Sequence, residues 1–134
     1  MEPFGTLYTL GYAAPGAHEQ LDVLMEDPSM LLVDIRFAAR SRWYRDWHKG
    51  RLVERWGPRY LHERRLGNVN YQHRRKPIEL LDAEGGVAAV VELLRQGYSV
   101  LLLCACTDYQ RCHRRLVAEM VAERLAQMEG GDGG

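Results

Sequence analysis

Apolar positions along the chain fall into two rhythms. Thr6-Leu7-Tyr8-Thr9-Leu10 alternates β-forming residues and stops at Gly11, which predicts a first strand. Met30-Leu31-Leu32-Val33-Asp34-Ile35 and Ser99-Val100-Leu101-Leu102-Leu103-Cys104 are nearly continuous apolar runs. Strands covered on both faces read this way. Tyr60-Leu61 predicts one further, short strand. The helical rhythm appears between these runs. Behind Pro15, Ala17, Leu21, Leu24 and Met25 stand at helical spacing over residues 15–26. From residue 84, Val87, Val90, Val91 and Leu94 make a stripe that closes at Gly97, the position of a C-terminal cap. Leu116, Val117, Met120, Val121 and Leu125 form the core face of a last helix. A short helix is expected over residues 44–56, ended by Gly57-Pro58. Residues 62–82 are polar, arginine-rich and irregular, with a turn at Gly67-Asn68. A loop of that length in a small domain is often functional. Strands alternating with helices imply an α/β fold. The expectation is a single domain over residues 1–128, with a short open, mainly parallel sheet of about four strands and helices on both faces. A Gly-rich, disordered tail is expected over residues 129–134.

Composition changes this picture little. Of 134 residues, 46% are hydrophobic and 27% charged, the balance of a globular domain. No apolar run approaches the ~20 residues of a membrane span, so no membrane partner is expected. Met1-Glu2-Pro3-Phe4-Gly5 lacks the basic-then-apolar order of a secretory signal, which makes the cytoplasm the expected location.

Charge changes it more. The 18 basic and 18 acidic residues cancel overall, yet 13 basic and only 3 acidic residues lie between Arg36 and Lys76, a local net of +10. Trp43, Trp47, Trp56, Tyr44, Tyr60 and Tyr71 share that segment. Arginines interleaved with aromatics suit a phosphate-bearing ligand whose rings can stack. The competing reading is a solvated face neutralised by acidic flanks, with the tryptophans in the core.

Ligands of open α/β sheets bind beyond the carboxyl ends of the strands. Three such ends carry special residues: Gly11-Tyr12; Asp34-Ile35-Arg36 with Arg40, Ser41 and Arg42; and the stretch from Cys104 to Arg114. In the last, Thr107 or Asp108 can cap the final helix, whose free N–H groups attract an anion. Arg111, His113 and Arg114 add donors, and a thiol placed there would be acidified. Cys104 is thus either a nucleophile or a small buried hydrophobe, and Cys112 reads as the latter. Asp34 can act as a base, orient an arginine, or pair with Arg36 or Arg114 to hold the loops. Tyr12 can stack on a ligand or simply pack. His18, His48, His62 and His73 read as surface residues.

The spacing Cys-x-Cys-x5-Cys-His offers four zinc ligands, but structural sites usually draw on two separate pairs. One set would have to bend around a strand–helix junction, so no metal and no cofactor are expected. A disulfide is not expected in a cytosolic chain either. The cysteine-phosphatase spacing, Arg six positions after Cys, fails at both Gln110 and Cys112. A rhodanese-like spacing, Arg five positions after Cys, fits Cys106 and Arg111. No Gly-rich loop precedes a Lys-Ser/Thr pair, which excludes that class of nucleotide triphosphatase.

Taken together, Thr9-Leu10-Gly11-Tyr12, Val33-Asp34-Ile35-Arg36 with Ser41-Arg42, Tyr60 with Leu66-Gly67, and Leu102-Leu103-Cys104 with Cys112-His113-Arg114 resemble the family called domain of unknown function 488. The resemblance spans about residues 7–125. It implies a small α/β domain with a site built from Gly11, Asp34, Arg36, Ser41, Arg42, Cys104, Cys112, His113 and Arg114. Two departures stand out: Cys106 occupies a position where the family usually has an acidic residue, and the region between Leu61 and Glu84 is short.

The leading expectation is therefore an anion pocket of phosphate type at the strand ends. Arg36, Arg42 and Arg114 would hold the ligand, with Gly11, Tyr12, Ser41 and Cys112 lining it. If there is catalysis, Cys104 is the nucleophile, His113 its base or electrostatic partner and Asp34 the orienter. The ligand class is a phosphate-bearing small molecule or a nucleic acid. A non-catalytic nucleic-acid or protein-binding module, and sulfur transfer through Cys106, stand as alternatives. Oligomeric state and strand order are not legible.

Overall fold

The two apolar runs form the middle of the sheet. The computed structural model describes residues 4–41, 43–73, 75–106 and 112–131. Its strands are β1 (Leu7–Gly11), β2 (Met30–Asp34), β3 (Tyr60–His62) and β4 (Ser99–Cys104), in the order β1-β4-β2-β3. All three pairings are parallel. Every residue of β2 and β4 is buried, as continuous apolar runs require when both faces are covered. The edge strands are only partly buried, and β3 reaches one residue beyond the Tyr60-Leu61 pair expected of it.

The helices are α1 (Ala17–Leu24), α2 (Lys49–Trp56), α3 (Ala83–Arg95) and α4 (His113–Gly131). On one face Leu10, Leu32, Leu101 and Leu103 pack against Ala17 and Leu21 of α1 and Leu52 of α2. On the other, Val33, Val100, Leu102 and Cys104 pack against Val87, Val90 and Leu94 of α3 and Val117 and Val121 of α4. The chain steps one way along the sheet from β1 to β2 to β3 and then back to β4. Right-handed crossovers send forward and backward steps to opposite faces, which accounts for this division. Connections therefore leave to opposite faces on either side of β4, the topological condition for a crevice at its carboxyl end.

Local chemistry sets the boundaries. The Asp82 carboxylate accepts from the Gly85 N–H at 3.0 Å and starts α3, and Gly97 takes φ 94° just after its end. The expected helix over residues 44–56 divides into a 3-10 turn, Arg45–Trp47, and α2, because His48 is extended and caps the second piece. The arginine-rich segment contains a 3-10 turn at Arg64–Leu66 and a bridge between Asn68 and Leu80. Gly67 lies against the Phe37 backbone, where a Cβ would collide, so the segment is held to the exit of β2. Helix α4 runs to Gly131, into the stretch expected as tail; residues 132–134 lie outside the described residues. Among the described residues no helix is long and apolar enough to cross a membrane.

Candidate functional site

β4 delivers Cys104 to the crevice with no exposed surface. Its neighbours come from all sides. β1 ends opposite it at Gly11, and the Tyr12 N–H donates to the Cys104 carbonyl at 3.0 Å. A Cβ on Gly11 would run into the Cys106 carbonyl and stand 3.2 Å from Arg114 Nη2, so the backbone must be bare there. β2 ends at Asp34, also fully buried. Arg36 grips that carboxylate twice, Nε to Oδ1 at 2.8 Å and Nη2 to Oδ2 at 2.6 Å, and its backbone N–H adds a third bond at 3.1 Å. The Tyr60 hydroxyl donates to Oδ2 at 2.5 Å from β3. Of the roles open to Asp34, the geometry fits pairing with Arg36 and orienting it.

Two buried arginines stand near this end of the sheet, Arg36 on Asp34 and Arg114 beside Gly11. Arg36 is 5% exposed and Arg114 7%. Arg114 Nη1 donates to Thr9 Oγ1 at 3.0 Å. Arg114, Asp34 and Arg36 all act on the Cys104 thiol through their charge. Burial is the larger influence on that thiol and pushes it up to about 11, so it is protonated at neutral pH. Burial opposes charge on Arg36 as well, but the hydrogen bonds and charge of Asp34 outweigh it and hold the guanidinium charged. Arg36 Nη1 is buried and has no hydrogen-bond partner among the described residues. Tyr12 lies beside this group, with the Arg36 guanidinium 5.3 Å from its ring centroid, and stacks on buried Trp47 at 5.3 Å.

His113 opens α4. Its Nε2 is 2.8 Å from the Ile35 carbonyl, which only accepts, so Nε2 carries the proton and Nδ1 a lone pair. Burial lowers this imidazole below its usual value and keeps it neutral. Nδ1 lies 4.0 Å from Cys112 Sγ.

The cysteines correct the sequence reading twice. Cys106 and Cys112, their Cα atoms 5.9 Å apart, form a disulfide, where none was expected. In this state Cys106 has no thiol to carry a persulfide, and Arg111 of the rhodanese-like spacing lies outside the described residues. Cys112 is thus a disulfide partner as well as a buried residue. The geometric objection to a metal site also fails. The ligand atoms of Cys104, Cys106, Cys112 and His113 all lie within 4.8 Å of one another.

Other expected residues fall elsewhere. The Ser41 hydroxyl accepts from the Tyr44 N–H at 3.1 Å and lines a groove of about 500 Å³ with Arg45, His48 and Arg51. A second groove, about 570 Å³, runs between His18, Asp46, Trp47 and Arg55. Both lie along α2 rather than at Cys104. Arg42, Thr107 and Asp108 lie outside the described residues. His62, expected at the surface, is half-buried and its Nε2 meets the Arg36 carbonyl at 2.7 Å. The tryptophans divide: Trp47 is core, whereas Trp43 is 79% exposed. The roles of Tyr60, Thr9 and His62 escaped sequence reasoning. Their signals are membership of the family-resemblance motifs for Thr9 and Tyr60, and a position just after the expected third strand for His62.

The family model described as Domain of unknown function DUF488 matches residues 17–121, inside the span of the resemblance read from the sequence. No curated protein and no solved structure matches the chain.

Proposed function

This chain belongs to the DUF488 family, and from that premise we propose that it binds a phosphate-bearing ligand, a nucleotide or a single-stranded nucleic acid, at the carboxyl edge of its sheet. One observation carries the reading: Arg36 Nη1, buried, charged and without an acceptor among the described residues. Buried guanidinium N–H groups are almost always satisfied, and a phosphate oxygen is the acceptor best matched to them. Arg114 approaches from the β1 side and supplies the second cation. The rim carries stacking surfaces: exposed Trp43 and Tyr44, and Arg64 poised 4.1 Å over the Phe37 ring. These belong to the +10 segment.

Binding is preferred to catalysis. A nucleophilic Cys104, with His113 as base, requires a thiolate, and burial opposes one.

The test is fluorescence anisotropy of a labelled single-stranded oligothymidylate across a salt series. Two phosphate contacts give a slope of about −1.4 in log affinity against log salt. Neutralising exposed Arg64 and Arg75 to alanine is expected to weaken binding about tenfold, leaving the fold intact. Competition by AMP distinguishes a mononucleotide site from one that needs a polymer. Absent or salt-independent binding overturns the reading.

A further inference from the structure

The sulfur cluster beneath this edge has a geometry that anion binding does not use. Cys104 Sγ lies 2.6 Å from Cys112 Sγ and 3.5 Å from Cys106 Sγ. His113 completes the set of four ligand atoms, from two pairs: Cys104 and Cys106 at the end of β4, Cys112 and His113 at the start of α4. Two separated pairs facing one another are what a tetrahedral site asks for. The histidine is already dressed for coordination. Its Nε2–H is spent on the Ile35 carbonyl, which leaves the Nδ1 lone pair on the side of Cys112. Metal-ligating histidines nearly always donate the other ring N–H to a carboxylate, a backbone carbonyl or water. The charge also suits. Three thiolates, a neutral imidazole and a dication sum to −1, and the Arg114 backbone N–H already donates to Cys112 Sγ at 3.5 Å.

We propose that Cys104, Cys106, Cys112 and His113 form a redox-gated site for one zinc-class ion, closed to metal while Cys106 and Cys112 are joined and open once they are reduced. Around zinc, sulfurs bonded at 2.3 Å stand about 3.8 Å apart. The Cys104–Cys106 distance of 3.5 Å is already near this. Cys112 must draw away from both other sulfurs, and breaking the disulfide releases it. The chemistry balances in two steps. A phosphine reductant and water convert the disulfide to two thiols and a phosphine oxide. The metal then displaces three protons, one from each thiol, while Nδ1 coordinates without losing any. Four protein ligands leave no open position, so the ion clamps β4 to α4 and activates no water.

The full chain, reduced with a phosphine in metal-free buffer, is titrated with Co²⁺ and then Zn²⁺. One Co²⁺ per chain is expected, with tetrahedral ligand-field absorption and thiolate charge-transfer bands that Zn²⁺ abolishes. Oxidation with a peroxide, which takes two electrons from the Cys106 and Cys112 sulfurs and is itself reduced to water, should release the ion, and renewed phosphine reduction should restore uptake. Cys104→Ser should cost about a third of the charge-transfer intensity and at least about tenfold in affinity. Should that buried substitution prevent folding, Cys106→Ser, at a partly exposed position, gives the same two readouts. No uptake by the reduced chain, octahedral cobalt, or spectra unchanged in Cys106→Ser would each overturn the site. None of these readouts involves oligonucleotide binding, so failure here and failure of the anion reading are separable.

Discussion

Asp34 accepts four hydrogen bonds, three from Arg36 and one from Tyr60, without contact with solvent. A pair between Asp34 and Arg36 is among the readings the sequence allows, two residues apart at a strand end; nothing in the spacing of Tyr60 shows that it shares the same carboxylate. Asp34→Asn leaves the Arg36 guanidinium buried beside a neutral amide. Breaking a buried pair in this way is expected to cost about 3–5 kcal/mol, measured by urea unfolding; a loss below about 1 kcal/mol would show that the pair does not hold the strand ends. Tyr60→Phe removes a single hydrogen bond and should cost about 1 kcal/mol. Tyr60 also has a signature in pH. Burial first, then the Asp34 carboxylate, raise its hydroxyl above the ordinary value of 10.0. The folded state therefore keeps a proton that the unfolded state loses above that value. The resulting stability is complete below pH 10 and declines as pH rises beyond it. Urea midpoints followed from pH 9 to 11 should fall more steeply in the wild-type chain than in Tyr60→Phe; parallel curves would remove Tyr60 as the cause.

Elements were the most legible scale. β4 occupies the six residues of its apolar run, and α3 lies within one residue of its expected start. These follow from periodicity, a property of the chain alone. Leu102 shows how strongly the fold depends on that run. It is fully buried at the centre of β4, with Val33 beside it on β2 and Thr9 on β1. Leu102→Ala is expected to destabilise the chain by about 2–5 kcal/mol in the same urea assay. A cost under 1 kcal/mol would contradict the central place of β4. The disulfide and the sulfur cluster were not legible, for a physical reason. They depend on how closely Cys112 and His113 approach the end of β4, and hydrophobic period carries no information about that approach. The strand order was equally hidden. Asp34 meets Leu103 on one side and His62 on the other only because β4 enters the sheet between β1 and β2.

For the whole molecule, parallel strands gather every carboxyl end on one edge. The proposed contacts and the sulfur cluster therefore share a neighbourhood although their residues are scattered in sequence. The charge asymmetry reinforces this arrangement: its +10 segment begins at Arg36, at the exit of β2. Because the total charge is zero, the field of this segment is local and fades within about 10 Å at 0.1 M salt. Binding that depends steeply on salt through a few contacts, rather than through a long-range field, is the corresponding expectation.

Gly11 gives this edge a directional bias. With the Cys106 carbonyl filling the space of an absent side chain, the end of β1 at position 11 is main chain and cannot be re-equipped by substitution. Any tuning toward a particular guest must then come from the opposite bank, where the loops after β2 and β3 present replaceable groups. Libraries built at Trp43, Tyr44 and Arg64 should change what the protein accepts, whereas any side chain at position 11 should disturb the architecture before it alters selectivity.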